Sequence, residues 1–234
     1  MNKHTRWITG ELEKHSRDGT GYWSNDSYMS SGHSYYDVSV PDCRRICTAW
    51  LANNPDLSFS DFTKTLDELY RGKSYEERSM AGRLLGYHSS FRHQVSFTQL
   101  ETWLGQLVGW GEVDSTCQST WTPGELLADW VGWKQFLLRL SQDENINVRR
   151  ASLVLLTNPV STSDDERIRD LCFTLIGDLQ GERDILITKA VSWLLRCMVT
   201  HHSQVVTDYL DQHSQTLSAI ALRETRNKIR TGRK

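Results

Sequence analysis

Val148-Arg149-Arg150-Ala151-Ser152-Leu153-Val154-Leu155-Leu156 lines up with Ile187-Thr188-Lys189-Ala190-Val191-Ser192-Trp193-Leu194-Leu195, a basic residue followed by Ala recurring in register. Apolar residues return at helical spacing in and around both stretches, and the two-residue alternation of a half-buried strand is almost absent.

The same periodicity extends outward. It runs through Phe62, Leu66, Leu69 and Tyr70, then Met80, Leu84 and Leu85, then Phe97, Leu100, Trp103, Leu104 and Leu107. Beyond these come Leu126, Leu127, Trp130, Leu137 and Leu138, then Ile168, Leu171, Leu175 and Leu179. Asn53-Asn54-Pro55-Asp56, Thr122-Pro123-Gly124, Asn158-Pro159 and Gly181 punctuate the pattern. Such short connections join antiparallel helix neighbours. Like helices separated by roughly 35 to 45 residues match the period of HEAT and armadillo arrays. The sequence therefore predicts an all-α fold, a HEAT-like or armadillo-like superhelix of stacked antiparallel helix pairs with a concave face. One domain is expected over residues 1–234, with a flexible Ser/Gly/Asn/Tyr-rich segment at 16–34 and a basic tail at 223–234.

The 27 Lys plus Arg nearly cancel the 29 Asp plus Glu, so any nucleic-acid site has to be a local patch. Residues Met1 to Leu12 hold charges where an export signal would be apolar, and no apolar run approaches the roughly 18 residues of a membrane helix. A cytoplasmic location without membrane association is the expectation. Five cysteines without a C-x-x-C pair fit reduced, packed thiols, with Cys43 and Cys47 one helical turn apart. Neither His201-His202 nor His88 with His93 has the partners that would complete a ligand set, so no metal is assigned and both pairs are expected at exposed helix ends. Gly19-Thr20-Gly21 lacks the Lys and further glycine of a nucleotide loop.

Three clusters bring chemistry together. In Gly109-Trp110-Gly111-Glu112-Val113-Asp114 the Trp110 ring and the Asp114 carboxylate stand four apart, on one helix face. Arg149-Arg150-Ala151 follows Asp143-Glu144-Asn145, a polar turn able to cap a helix. Lys189 and Trp193 repeat the cation-aromatic spacing. Taken alone, the two tryptophans read as core, Asp114 as a helix cap and the arginine pair as a solvated face.

In order and separation, these clusters resemble the DNA alkylation repair family of HEAT-like-repeat DNA glycosylases. The resemblance also takes in Tyr28-Met29, Val40-Pro41-Asp42-Cys43-Arg44-Arg45, Tyr75-Glu76-Glu77-Arg78 and Lys189 through Arg196, and covers about Tyr28 to Arg230. It implies that Asp114 is the catalytic carboxylate, that Trp110 and Trp193 flank the damaged nucleotide, and that Arg150 holds the DNA backbone, with Arg149 as the alternative. Tyr28 matches an aromatic residue near the same groove. Two positions depart from the family pattern: Asp37 stands where the family usually has a glycine before the Val or Ile preceding the Pro element, and Gly109 stands where it often carries an aromatic.

The implied activity is hydrolysis of the N-glycosidic bond of cationic N3-alkyladenine and N7-alkylguanine in double-stranded DNA, by a monomer with no cofactor. A cationic base leaves readily, and a carboxylate with aromatic faces stabilises the oxocarbenium-like sugar left behind. Further backbone contacts are expected from Lys189, Arg44, Arg45, Arg196, Arg223 and Arg226. The C-terminal basic residues read equally as a solvated helix end. Two rival functions remain open, a non-catalytic DNA-binding repeat protein and a protein-interaction scaffold.

Overall fold

A computed structural model describes residues 1–17, 26 and 31–233, so Tyr28 and most of the 16–34 segment lie outside the described residues. The described residues form helices and no strand, with one isolated bridge between Ser34 and Ser74. They divide into two compact units, Met1–Thr116 and Cys117–Lys234.

The N-terminal unit holds α1 (Lys3–Lys14), α2 (Val40–Ala52), α3 (Phe59–Tyr70), α4 (Tyr75–Tyr87), the single turn α5 (Ser89–Arg92), α6 (Phe97–Leu104) and nearly all of α7 (Trp110–Cys117). Its helix starts are set by short polar side chains that satisfy otherwise unpaired first-turn amides. Asn2, Ser39, Ser58, Ser74 and Ser96 each accept from such an amide. At α4 the Glu77 side chain reaches back to the Ser74 amide, completing a capping box. The apolar stripes meet in a core containing Ile8, Leu12, Ile46, Trp50, Phe62, Leu66, Leu69, Met80 and Leu84, all buried. Trp103 stacks on Tyr70 with ring centroids 5.3 Å apart, and its indole N–H donates to Asp67 at 2.7 Å, so the polar edge of a buried ring is satisfied.

The C-terminal unit holds α8 (Pro123–Ala128), α9 (Trp130–Ser141), α10 (Ile146–Val154), α11 (Thr157–Ser161), α12 (Glu166–Leu179), α13 (Ile185–Gln212) and α14 (Ala219–Thr231). The two self-similar stretches fall on α10 and α13, which pack against each other. Their starts are alike: Asn145 accepts from the amide two residues on, and Asp184 does the same.

Some expectations need correcting. Asn158-Pro159 does not interrupt the helical pattern but lies inside the short α11, where a missing amide hydrogen in the first turn costs little. His201 and His202 are not at a helix end. They sit within α13, where His202 leaves helical geometry (φ −128°, ψ 34°), kinks the helix and is buried. The described ends of the 16–34 segment are held in place: the Arg17 amide donates to the Tyr36 carbonyl at 3.2 Å, and the Tyr75 amide to the Ser34 carbonyl at 3.0 Å. Cys43 and Cys47 are packed thiols as expected, with Cys47 Sγ 3.6 Å from Met80 Sδ.

Two backbone details position α7 and the segment that faces it. Asp37 is buried and takes φ +58°, in the left-handed region where glycine is at ease, which gives a physical reason for a glycine preference in this neighbourhood. Gly82 lets α4 touch the α7 backbone: a Cβ there would stand 2.7 Å from both the Ser115 carbonyl oxygen and Thr116 Cα. Gly82→Ala is therefore expected to lower stability by about 1 to 3 kcal/mol through overpacking, although Ala is the better helix former. Denaturant unfolding measures this, and an unchanged midpoint would contradict the close approach.

Candidate functional site

Helix α7 presents the first cluster. Gly109 takes φ +78°, turning the chain into the helix through a conformation that side chains resist. Trp110 and Asp114 follow, one turn apart, and both are half-buried, whereas Gly111, Glu112 and Val113 between them are buried. The helix thus turns its aromatic-carboxylate face outward and its intervening residues inward. Asp114 is the fifth residue of α7, so it is not the cap that its sequence context suggested. Trp110 is likewise absent from the fully buried core.

The acid at the start of α7 is Glu112, to which sequence reasoning gave no role. Its Oε2 accepts from the Val108 amide at 2.8 Å, and its side chain is fully buried. Arg78 Nη1 lies 3.8 Å from Oε2, and His33 Nε2 lies 3.0 Å from Oε1. Arg78 is itself fixed, donating from Nε to the Gly72 carbonyl at 2.9 Å and from Nη1 to the Gln106 carbonyl. Burial pushes the Glu112 carboxyl up to about 7, against the opposing pull of the Val108 amide and Arg78. Burial also holds His33 below its ordinary value, reinforced by the positive charge of Arg78. The available signal in the sequence was an acid at the third position of a helix following glycine, the place from which a capping-box side chain reaches back.

In the C-terminal unit the arginine pair is not a solvated face. Arg149 is half-buried and makes a fork on Glu182, Nε to Oε1 at 2.8 Å and Nη2 to Oε2 at 3.0 Å. Its Nη1 donates to the carbonyls of Asp143 and Glu144. Arg150 is 4% exposed, and its Nη1 donates to the Leu186 carbonyl at 2.6 Å, which places it at the first turn of α13. Lys189 and Trp193 lie one and two turns further along that helix; Lys189 is exposed and Trp193 half-buried. The structure therefore gathers Arg150, Lys189 and Trp193 along one helix, and separately Trp110 and Asp114 on another.

The remaining cations differ in what they already hold. Arg196 lies 3.4 Å from Glu224, Arg226 lies 3.3 Å from Asp211, and Arg45 pairs with Asp42. Arg44 and Arg223 are exposed. Among the described residues no group of three or more His, Cys, Asp or Glu side chains is placed to hold a metal ion. No described helix is long and apolar enough to cross a membrane.

The family described as DNA alkylation repair enzyme matches residues 8–229, which takes in α7 and α13. The chain belongs to the DNA alkylation repair enzyme family. No curated protein sequence gives a significant match. Among solved structures, a predicted DNA alkylation repair enzyme from Enterococcus faecalis superposes with a TM-score of 0.70 at 18% identity, covering 86% of this chain and 90% of that one. At that identity the superposition speaks for a shared fold. For this family member the expected all-helical fold is thus found, and every candidate residue except Tyr28 lies among the described residues.

The Arg149 fork joins α10 to the residues just before α13, and so fixes the turn on which Arg150 is anchored. A double-mutant cycle with Arg149→Ala and Glu182→Ala is expected to give a coupling of about 1 kcal/mol in unfolding free energy, at the upper end for a partly exposed pair because the geometry is a fork. Strict additivity of the two substitutions would show that the pair contributes nothing to stability.

Proposed function

We propose that the protein is a DNA glycosylase that hydrolyses the N-glycosidic bond of cationic alkylated purines, N3-alkyladenine and N7-alkylguanine, in double-stranded DNA. The observation that carries this reading is the outward face of α7, which displays Trp110 and Asp114 while the residues between them are buried. The half-buried Asp114 carboxylate stands one helical turn from the half-buried Trp110 ring. It suits a developing positive charge on a sugar, because a preorganised charge needs no reorganisation when the bond breaks. Family membership supports damaged DNA as the substrate.

In this reading the alkylated base leaves with the bonding electron pair, which neutralises its positive charge. Asp114 stabilises the oxocarbenium-like deoxyribose and orients the water that attacks its anomeric carbon; the proton that water releases passes to Asp114 or to solvent. Trp110 and Trp193 add cation-π attraction of roughly 0.5 to 2 kcal/mol each. The exposed Lys189, Arg44 and Arg223 are the cations best presented to backbone phosphates, with Arg150 in the positioning role that the resemblance implies. Helix pairs stacked as a HEAT-like superhelix would carry these groups on a concave face, in a cytoplasmic monomer that uses no cofactor.

Asp114→Asn tests the chemistry. The amide keeps the shape and removes the charge, so single-turnover release of 7-methylguanine is expected to fall by about 100-fold or more while DNA affinity is unchanged or slightly tighter. A wild-type rate would remove Asp114 from the reaction. The leaving group gives a separate test. Because the reaction as drawn supplies no acid to the departing base, duplexes carrying N3-methyladenine or N7-methylguanine are expected to release it and duplexes carrying uracil are not. Efficient uracil release at neutral pH would overturn the mechanism.

A further inference from the structure

The buried face of α7 carries a second carboxyl group that the proposed reaction does not use. Glu112 lies between Trp110 and Asp114 in sequence but points the other way, since two residues along a helix is a turn of about 200°. Its partners come from three directions: Val108 in the chain leading into α7, Arg78 of α4, and His33 of the 31–38 segment. That segment is itself tied down. The Asp26 carboxylate accepts from the Ser31 and Gly32 amides at 2.9 and 2.8 Å, and from the Tyr35 hydroxyl. The Tyr36 amide donates to Glu76 at 3.0 Å. The helix carrying the candidate catalytic face is thus joined by one side chain to two other parts of the N-terminal unit.

We infer that Glu112 is the positioning residue for this face, holding the first turn of α7 against α4 and the 31–38 segment so that Trp110 and Asp114 stand where the reaction needs them. The inference rests on the glycosylase reading for its link to catalysis, and on the geometry alone for its link to Trp110. Glu112 touches no substrate; it acts through the helix.

The charged and titratable groups facing it are His33, Arg78, Tyr75 of α4 and, at longer range, the Asp26 carboxylate. Held up to about 7 in the folded chain from an ordinary 4.5, the carboxyl binds its proton more tightly folded than unfolded. Its contribution to stability accordingly falls as pH rises from about 4.5 to about 7 and is level above that. His33 Nε2 stands 3.0 Å from Oε1 of this carboxyl, and Arg78 faces Oε2. Above 7 the ionised carboxylate attracts Arg78 more strongly than the protonated carboxyl does. The anchor of α7 therefore changes character across neutral pH.

The test uses the full chain labelled with 5-fluorotryptophan, the Trp110 resonance being assigned with Trp110→Phe. In the wild type this resonance is expected to move with a midpoint near pH 7. In Glu112→Gln the movement is expected to vanish while the Trp103 and Trp133 resonances stay in place. Glu112→Gln is also expected to slow single-turnover release of 7-methylguanine by about 10- to 100-fold, with DNA affinity within twofold and a flattened pH profile between 6 and 8. Should Glu112→Gln not fold, His33→Gln, which leaves the carboxyl in place, is expected to shift the midpoint and slow release in the same direction. A wild-type Trp110 resonance that ignores pH, or a folded Glu112→Gln protein with the wild-type rate and profile, overturns the inference. If the wild type releases no base from any duplex, the glycosylase reading fails, and the fluorine resonances alone decide whether Glu112 positions Trp110.

Discussion

A carboxylate taken out of water must be met by donors or give up its charge, and the N-terminal unit is arranged around two such groups. Glu76, on α4, accepts from the amides of Tyr36 and Val38 and is buried, as is Val38. Glu112, on α7, is met by an amide, a guanidinium and an imidazole. Both requirements fall on the same stretch of chain, residues 31 to 38, which has no helix or strand of its own and would otherwise lie loosely on the surface. Two amides of that stretch donate to Glu76, and its His33 ring stands 3.0 Å from Glu112. The left-handed turn at Asp37 is part of the same arrangement, since it bends the backbone so that the amides on either side converge on one carboxylate.

The near-cancellation of charge has a structural counterpart. Arg149, Arg196, Arg226 and Arg45 each lie against a specific carboxylate. The balance of acidic and basic residues thus reports how the helices are stitched together more than what the surface attracts. Whether a cation serves a partner molecule depends on its surroundings, and here Lys189, exposed on α13, differs from Arg149, held in a fork, although both sit in the self-similar stretches.

Much of this was legible in the sequence. Helical periodicity identifies the elements because amphipathic helices write their buried stripe directly into residue order, and the spacing of Trp110 and Asp114 alone puts them on one face. What sequence order does not encode is the third dimension of the polar groups. Asp114 read as a cap because acids favour helix starts, yet the start belongs to Glu112, two residues earlier. Arg149 and Arg150 read as solvated because arginines usually are; the acceptors that bury them, Glu182 and the Leu186 carbonyl, lie more than thirty residues away in the chain. Pro159 and His202 were misplaced for a related reason. Pro159 lies inside a short helix and His202 at a kink within a long one, and local rules describe helix ends better than helix interiors.

The cysteines bear on the chemical setting in which such a protein works. Alkylating agents attack thiolates far faster than thiols, so a protein that acts amid them is vulnerable wherever a cysteine ionises. Burial pushes Cys43 up to about 11 and Cys47 up to about 12, and raises Cys172 as well. At neutral pH these side chains are overwhelmingly protonated and shielded by packing. The same close packing that stabilises the helices therefore holds these sulfur atoms in the less reactive thiol form.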